Sequence, residues 1–184
     1  MHLLKGEQRS VEYLRLNPAG LVPSLVDDDA NVISQSLAII EYLDEIHPAN
    51  PLLPKTALDR AHVRALSLAI ACEVHPLNNA RVLGYLTKEF AATEAQKSAW
   101  IAHWISLGLG AFETTLEQSG RSVKFCFGDT PTMADCVLVP QMFSARRFGV
   151  DVSAYPLIAA IDARCNEMTE FQVAHPAKQS DFQA

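Results

Sequence analysis

The spacing of apolar and polar positions changes near residue 50. Upstream, Leu21-Val-Pro-Ser-Leu-Val26 and Asn31-Val-Ile-Ser34 are short β-rich runs on either side of Asp27-Asp28-Asp29, which predicts an antiparallel hairpin with an acidic turn. Ser36 to Ile46 then reads as a helix, with Leu37, Ile40 and Leu43 as its apolar stripe and Glu41, Asp44 and Glu45 on the other face. His47-Pro-Ala-Asn-Pro-Leu-Leu-Pro54 closes this part, because a proline at every third position fixes φ and removes amide donors, excluding helix and central strand alike.

Downstream the period is helical throughout. Leu58 to Phe90 predicts one long helix kinked at Pro76, and a second runs from about Thr93 to Gln118. Gly120 to Phe127 reads as a loop, after which Thr132-Met-Ala-Asp135 has the spacing of a capping box and opens a helix to about Arg147. That helix is apolar nearly all round at Met133, Cys136, Val137, Leu138 and Val139, which makes it the expected centre of the second part. A last helix follows Tyr155-Pro156, and His175-Pro-Ala-Lys-Gln-Ser180 is expected to fray. The domains are therefore drawn at residues 1–50, mixed α/β, and 51–184, all helical.

Charge narrows the partners. Lys and Arg number 15 against 21 Asp and Glu, a net charge of −6 that offers neither a nucleic acid nor an anionic membrane surface a counter-field. The longest mostly apolar stretch, Ala65 to Cys72, is far short of the roughly 20 residues of a membrane span. The first residues turn polar by Lys5, too early for a secretory signal, so a cytoplasmic location is expected. Cys72, Cys126, Cys136 and Cys165 have no CxxC spacing and read as reduced thiols, mostly in the core. Cys72-x-x-His75 lacks a second ligand pair, so no metal site is expected.

Six motifs in order, Val22-Pro23, Gln35-Ser36-Leu-Ala-Ile-Ile-Glu-Tyr-Leu43, His75-Pro-Leu-Asn-Asn79, Gly128-Asp-Thr-Pro-Thr-Met-Ala-Asp135, Val139-Pro-Gln141 and Arg147-Phe148, resemble the zeta class of glutathione transferases over nearly the whole chain. The resemblance implies a thioredoxin-like first domain that binds glutathione, an all-helical second domain, and a homodimer. Within the class the chain is most similar to maleylacetoacetate isomerases and the related maleylpyruvate isomerases. The activity implied is glutathione-dependent cis-to-trans isomerisation of a small dicarboxylic keto acid, maleylacetoacetate first and maleylpyruvate as the alternative. One departure stands out. The family's Ser/Cys-rich turn ending in Arg, which activates the glutathione thiol, has no counterpart here, and Met1-His-Leu-Leu-Lys-Gly-Glu-Gln8 resembles the end of the second strand and the loop beyond it. A first βαβ portion of about 30 residues is therefore expected to be missing, leaving a truncated thioredoxin-like domain, no catalytic residue in this sequence and impaired activity.

The resemblance assigns the other site residues. Pro23 would be cis and turn the Val22 backbone toward the cysteinyl part of glutathione, like an added strand. Ser36, at a helix N-terminus, would meet the γ-glutamyl carboxylate, with Gln35 beside it, although Ser36 as a plain helix cap is also open. Gln8 would lie near the glycine end. On the substrate side, His75, Asn78 and Asn79 share a helical face with Arg81 to one side, and the family match favours His75, Asn79 and Arg81 as ligands of the dicarboxylate. A gathering of polar residues around the proline kink is the competing reading. Arg147, the second of a pair closing its helix, would offer a guanidinium fork to a carboxylate, while the helix-end dipole alone also explains Arg146-Arg147. Trp100 and Trp104, one turn apart, read as core or dimer packing. A general conjugating transferase and a non-catalytic fragment remain alternatives to the isomerase.

Overall fold

The computed structural model describes residues 2–180. Two compact units divide the chain, Leu53–Met168 forming one and the residues on either side of it the other.

The first unit holds one sheet of two strands among the described residues, β1 (Ser24–Val26) and β2 (Val32–Ser34), paired antiparallel with Ser24 opposite Ser34 and Val26 opposite Val32. The expected hairpin therefore forms. Its acidic turn is ordered by Asp27, whose carboxylate accepts the amides of Asp29 and Asn31, at 3.0 and 2.8 Å, and the Tyr42 hydroxyl at 3.2 Å. These hydrogen bonds, with the Asn31 side-chain amide foremost, hold the Asp27 carboxyl below its usual range. Helix α2 (Ser36–Ile46) has the predicted bounds, yet its buried residue is Ile39, while Leu43 is exposed. Tyr42 is spent on Asp27 and the helix is turned so that Ile39 faces inward, one position off the predicted stripe.

Residues 3–9 are not a strand end. Leu3–Lys5 and Glu7–Arg9 form two 3-10 turns joined at Gly6, and helix α1 (Val11–Leu16), which the sequence pattern did not indicate, follows behind an Ser10 cap. Gly6 takes φ +73°, a left-handed conformation that interrupts extended backbone. Met1 lies outside the described residues. Beyond the second unit, helix α8 (Thr169–Ala174) was likewise unanticipated, and the expected frayed tail contains a 3-10 turn, Pro176–Lys178, capped by His175 Nδ1 accepting from the Ala177 amide.

In the second unit the predicted Leu58–Phe90 rod is four segments. Helix α3 (Ala57–Leu68) is capped by Thr56, passes into a π-helical stretch at Ala69–Val74, then a 3-10 turn at His75–Asn78, and stops before helix α4 (Ala80–Phe90). Pro76 has no amide to give the preceding carbonyls, so the helix widens and the His75 amide reaches back to the Ile70 carbonyl instead. Asn79 is extended and caps α4. Helix α5 (Glu94–Ser119) starts at a Thr93/Gln96 capping box and contributes Ile101, Ile105, Leu109, Phe112 and Leu116 to the core. Helix α6 (Met133–Arg147) is central as expected: it packs on α3 and on α7 (Pro156–Glu167), burying Met133, Leu138, Met142 and Ala145. Its capping box forms, and the buried Asp135 accepts the amides of Thr132 and Cys126 at 2.7 and 2.8 Å. Helix α7 borrows its cap from α5, where the buried Glu113 accepts the Leu157 and Ile158 amides at 2.7 and 2.9 Å. No described helix is long and apolar enough to cross a membrane.

Candidate functional site

Gln8, Val22, Pro23, Gln35 and Ser36 all fall in the first unit. The Val22–Pro23 bond is cis, and Val22 is 44% exposed. Gly20, at φ +60°, lets this segment pass close to Gln8: a β-carbon there would stand 3.3 Å from the Gln8 carbonyl oxygen. The Gln8 side-chain oxygen is buried with no hydrogen-bond partner, so it is an acceptor waiting for a donor. Gln35 takes φ 75° and ψ 121°, a conformation that costs a non-glycine residue energy. Ser36 is the first residue of α2 rather than its cap. No side chain caps this helix and no acid occupies its first turn, so the capping alternative for Ser36 is withdrawn and the helix presents open amides and a positive dipole end.

His75, Asn79, Arg81 and Arg147 fall in the second unit. His75, Asn78 and Asn79 do not share the expected single helical face, because His75 and Asn78 sit in the 3-10 turn and Asn79 is the extended residue after it. Asn78 and Asn79 are partly spent on local structure, Asn78 donating to the Val74 carbonyl at 3.2 Å and Asn79 accepting the Arg81 amide at 3.0 Å. His75 and Arg81 are exposed. The protein around the His75 ring desolvates it and lowers its pKa, favouring the neutral imidazole. At the end of α6 the two arginines separate: Arg146 pairs with the buried Asp162 at 2.5 Å, whereas Arg147 is exposed and makes no ion pair among the described residues.

Three residues that support these positions were not singled out from the sequence. Tyr13 and Asn17, both buried, bond to Leu21 and Ser24 on either side of Val22-Pro23. Gly108 of α5 lies against Val74, so close that a β-carbon would stand 2.1 Å from Val74 Cγ2, and this seats the π-helical stretch on α5. The Asn17-Pro-Ala-Gly20 turn was the available signal for the first pair; glycines inside a helical pattern, Gly108-Leu-Gly110, were the signal for the last. Trp100 is half-buried and packs against Trp104 with ring centroids 5.6 Å apart, and it also donates from Nε1 to the Leu77 carbonyl at 2.8 Å, tying α5 to the turn that carries His75. Among the described residues no cysteine is in a disulfide. Burial, reinforced by the nearby Asp135 charge, pushes the Cys126 thiol well above its ordinary range and Cys165 up to about 12.

Comparison with known proteins agrees with this layout. Residues 2–46 match the family described as glutathione S-transferase, N-terminal domain. Over 181 residues the chain is 50% identical to a maleylpyruvate isomerase from a Ralstonia species, covering 98% of this chain and 85% of that one. It is 47% identical over 174 residues to the maleylacetoacetate isomerase of Rhizobium meliloti, covering 95% and 81%. The fold matches a maleylacetoacetate isomerase from Methylobacterium extorquens, solved with malonate and GSH bound, with a TM-score of 0.96 at 33% identity over 100% of this chain and 86% of that one. The thioredoxin-like first unit with its small sheet, the helical second unit and identity along nearly the full chain together place the protein in the maleylacetoacetate/maleylpyruvate isomerase family of zeta-class glutathione transferases.

Proposed function

We propose that the protein is a glutathione-dependent isomerase that converts the cis double bond of maleylacetoacetate to trans. The observation that carries this reading is identity with isomerases of both kinds over at least 95% of the chain. Glutathione fits the first unit on its own chemistry: an unpartnered Gln8 oxygen for a donor, open amides at the start of α2 for a carboxylate, and the Val22 backbone at an exposed turn. Gln8, Val22, Pro23, Gln35 and Ser36 would hold the tripeptide. When bound, it supplies a sulfur nucleophile that adds reversibly to the conjugated double bond and frees it to rotate.

His75, Asn79, Arg81 and Arg147 would hold the dicarboxylate. Of the two arginines that close α6, Arg147, which makes no ion pair among the described residues, is the one available to a substrate carboxylate, since Arg146 is committed to Asp162. Desolvation favours the neutral imidazole of His75, which would donate a hydrogen bond to the dicarboxylate without adding charge. These residues recognise and position rather than activate the thiol. A homodimer in the cytoplasm completes the proposal, by analogy with the family.

The 50% identity to a maleylpyruvate isomerase favours maleylpyruvate as the second reading. Steady-state kcat/KM for both acids at saturating glutathione separates the two. A ratio above ten for maleylacetoacetate supports the first reading, a ratio above ten for maleylpyruvate replaces it with the second, and turnover of aryl halides without isomerisation overturns both.

A further inference from the structure

We infer that Tyr13 and Asn17 are positioning residues for glutathione, acting as a clamp across the Val22-Pro23 turn. The inference rests on the reading of Val22 as a backbone ligand of the tripeptide. The clamp is a closed network. Tyr13 donates its hydroxyl hydrogen to the Leu21 carbonyl at 2.6 Å, and Asn17 Nδ2 donates to the same oxygen at 2.7 Å. Across the turn, Ser24 Oγ lies 3.0 Å from the Tyr13 hydroxyl and 3.2 Å from Asn17 Nδ2. With the tyrosine proton committed to Leu21, Ser24 donates to Tyr13 and accepts from Asn17. Asn17 Oδ1 closes the set by accepting the Ala19 amide at 3.1 Å.

Both side chains are more than nine-tenths buried, while Val22 between the clamped residues is exposed. The turn therefore has its flanks fixed from below and its middle facing out. Val22 and Pro23 are bracketed by the clamped Leu21 and Ser24, so the side chains of Tyr13 in α1 and of Asn17 just beyond it are what fix the direction of the Val22 backbone groups. Hydrogen bonds of this kind contribute about 1 kcal/mol each, or about fivefold in an equilibrium constant. Pre-organisation of a ligand's backbone partner appears as affinity for that ligand.

The test uses the full chain, with glutathione binding measured by calorimetry and thermal unfolding recorded for every variant. Tyr13→Phe removes the hydroxyl and keeps the ring, and Ser24→Ala removes the shared hydroxyl from the other side of the turn. Each should weaken glutathione binding about three- to tenfold, and the double variant should lose less than the product, since the two share a hydrogen bond. Malonate affinity at saturating glutathione should stay within twofold for each. Gln35→Ala and Ser36→Ala are measured alongside. If these two weaken glutathione binding while the folded Tyr13→Phe and Ser24→Ala proteins bind it normally, the clamp is overturned. If all four leave binding unchanged, the assignment of glutathione to this part of the fold is overturned as well. Equal losses for malonate and glutathione would reduce Tyr13 and Asn17 to general stabilisers and also overturn the inference.

Discussion

Replacing Glu113 by alanine should loosen helix α7 without touching any candidate ligand of glutathione or the dicarboxylate. Glu113 is 6% exposed and accepts two amides in the first turn of α7, those of Leu157 at 2.7 Å and Ile158 at 2.9 Å. Tyr155 at the cap position makes no side-chain cap hydrogen bond, its hydroxyl donating to the Ser106 carbonyl, and Pro156 has no polar side chain, so these amides depend on a residue more than forty positions earlier. Loss of an N-cap costs about 0.5–2 kcal/mol, and a carboxylate accepting from buried donors stands at the strong end of hydrogen bonding, at about 1.5–3 kcal/mol. Because the alanine variant leaves the Ile158 amide buried without an acceptor, a total of about 2–4 kcal/mol follows. For a chain of this size that lowers Tm by about 5–15 °C. Glu113→Gln keeps one acceptor oxygen and should lose about half as much. Thermal unfolding, with amide hydrogen exchange at Leu157 and Ile158 as the local readout, checks the reasoning. A Tm within 2 °C of the parent, or unchanged protection at those two amides, would refute the cap.

The arginine pair at the end of α6 should divide by role: Arg147→Met is expected to cost about 2–5 kcal/mol in kcat/KM with little change in Tm, as for a cation that meets a desolvated carboxylate. Arg146→Met should instead lower Tm, because it leaves Asp162 buried without its cation; equal kinetic effects of the two would contradict the split. At neutral pH a disulfide reagent should modify exposed Cys72 readily and leave Cys126 and Cys165 unmodified until the protein is unfolded, since burial keeps both thiols protonated. Burial, and then the Arg121 charge, lower the pKa of His62, so below about pH 6.5 the unfolded chain takes up a proton that the folded chain resists, and stability falls as pH falls. His62→Gln should flatten that loss below about pH 6.5 in urea titrations, and an unaltered slope would show that His62 does not cause it.

What could be read from the sequence was set by local chemistry. The hairpin, α5 and the start of α6 were legible because Asp27-Asp-Asp29, Thr93 with Gln96, and Thr132 with Asp135 satisfy their own neighbours' amides, and α2 because its helical period is bounded by the hairpin and by His47-Pro48. The course of residues 57–90 was not, since the π-helical stretch answers both Pro76 and the approach of Gly108 to Val74 from another helix. Helix α1 escaped for a similar reason: Tyr13 and Asn17 find their partners across the turn at Leu21 and Ser24. At the candidate site, the bounds of α2 placed Ser36 correctly, but only packing shows that Asn79 caps α4 and that Arg146 is occupied by Asp162. The inward rotation of α2 onto Ile39 rather than Ile40 likewise depends on where Tyr42 is held.

The central claim is that glutathione acts as a catalyst's cofactor and is not consumed. Proton NMR of maleylacetoacetate mixed with the full chain and a tenfold deficit of glutathione tests it directly, because cis and trans vinyl protons and any thioether product are resolved in one spectrum. The account predicts that trans product forms only when glutathione is present, exceeds it by many equivalents, and leaves it recoverable as the free thiol. Trans product formed at the same rate without glutathione, or product capped at one equivalent with glutathione recovered as a thioether, would contradict it.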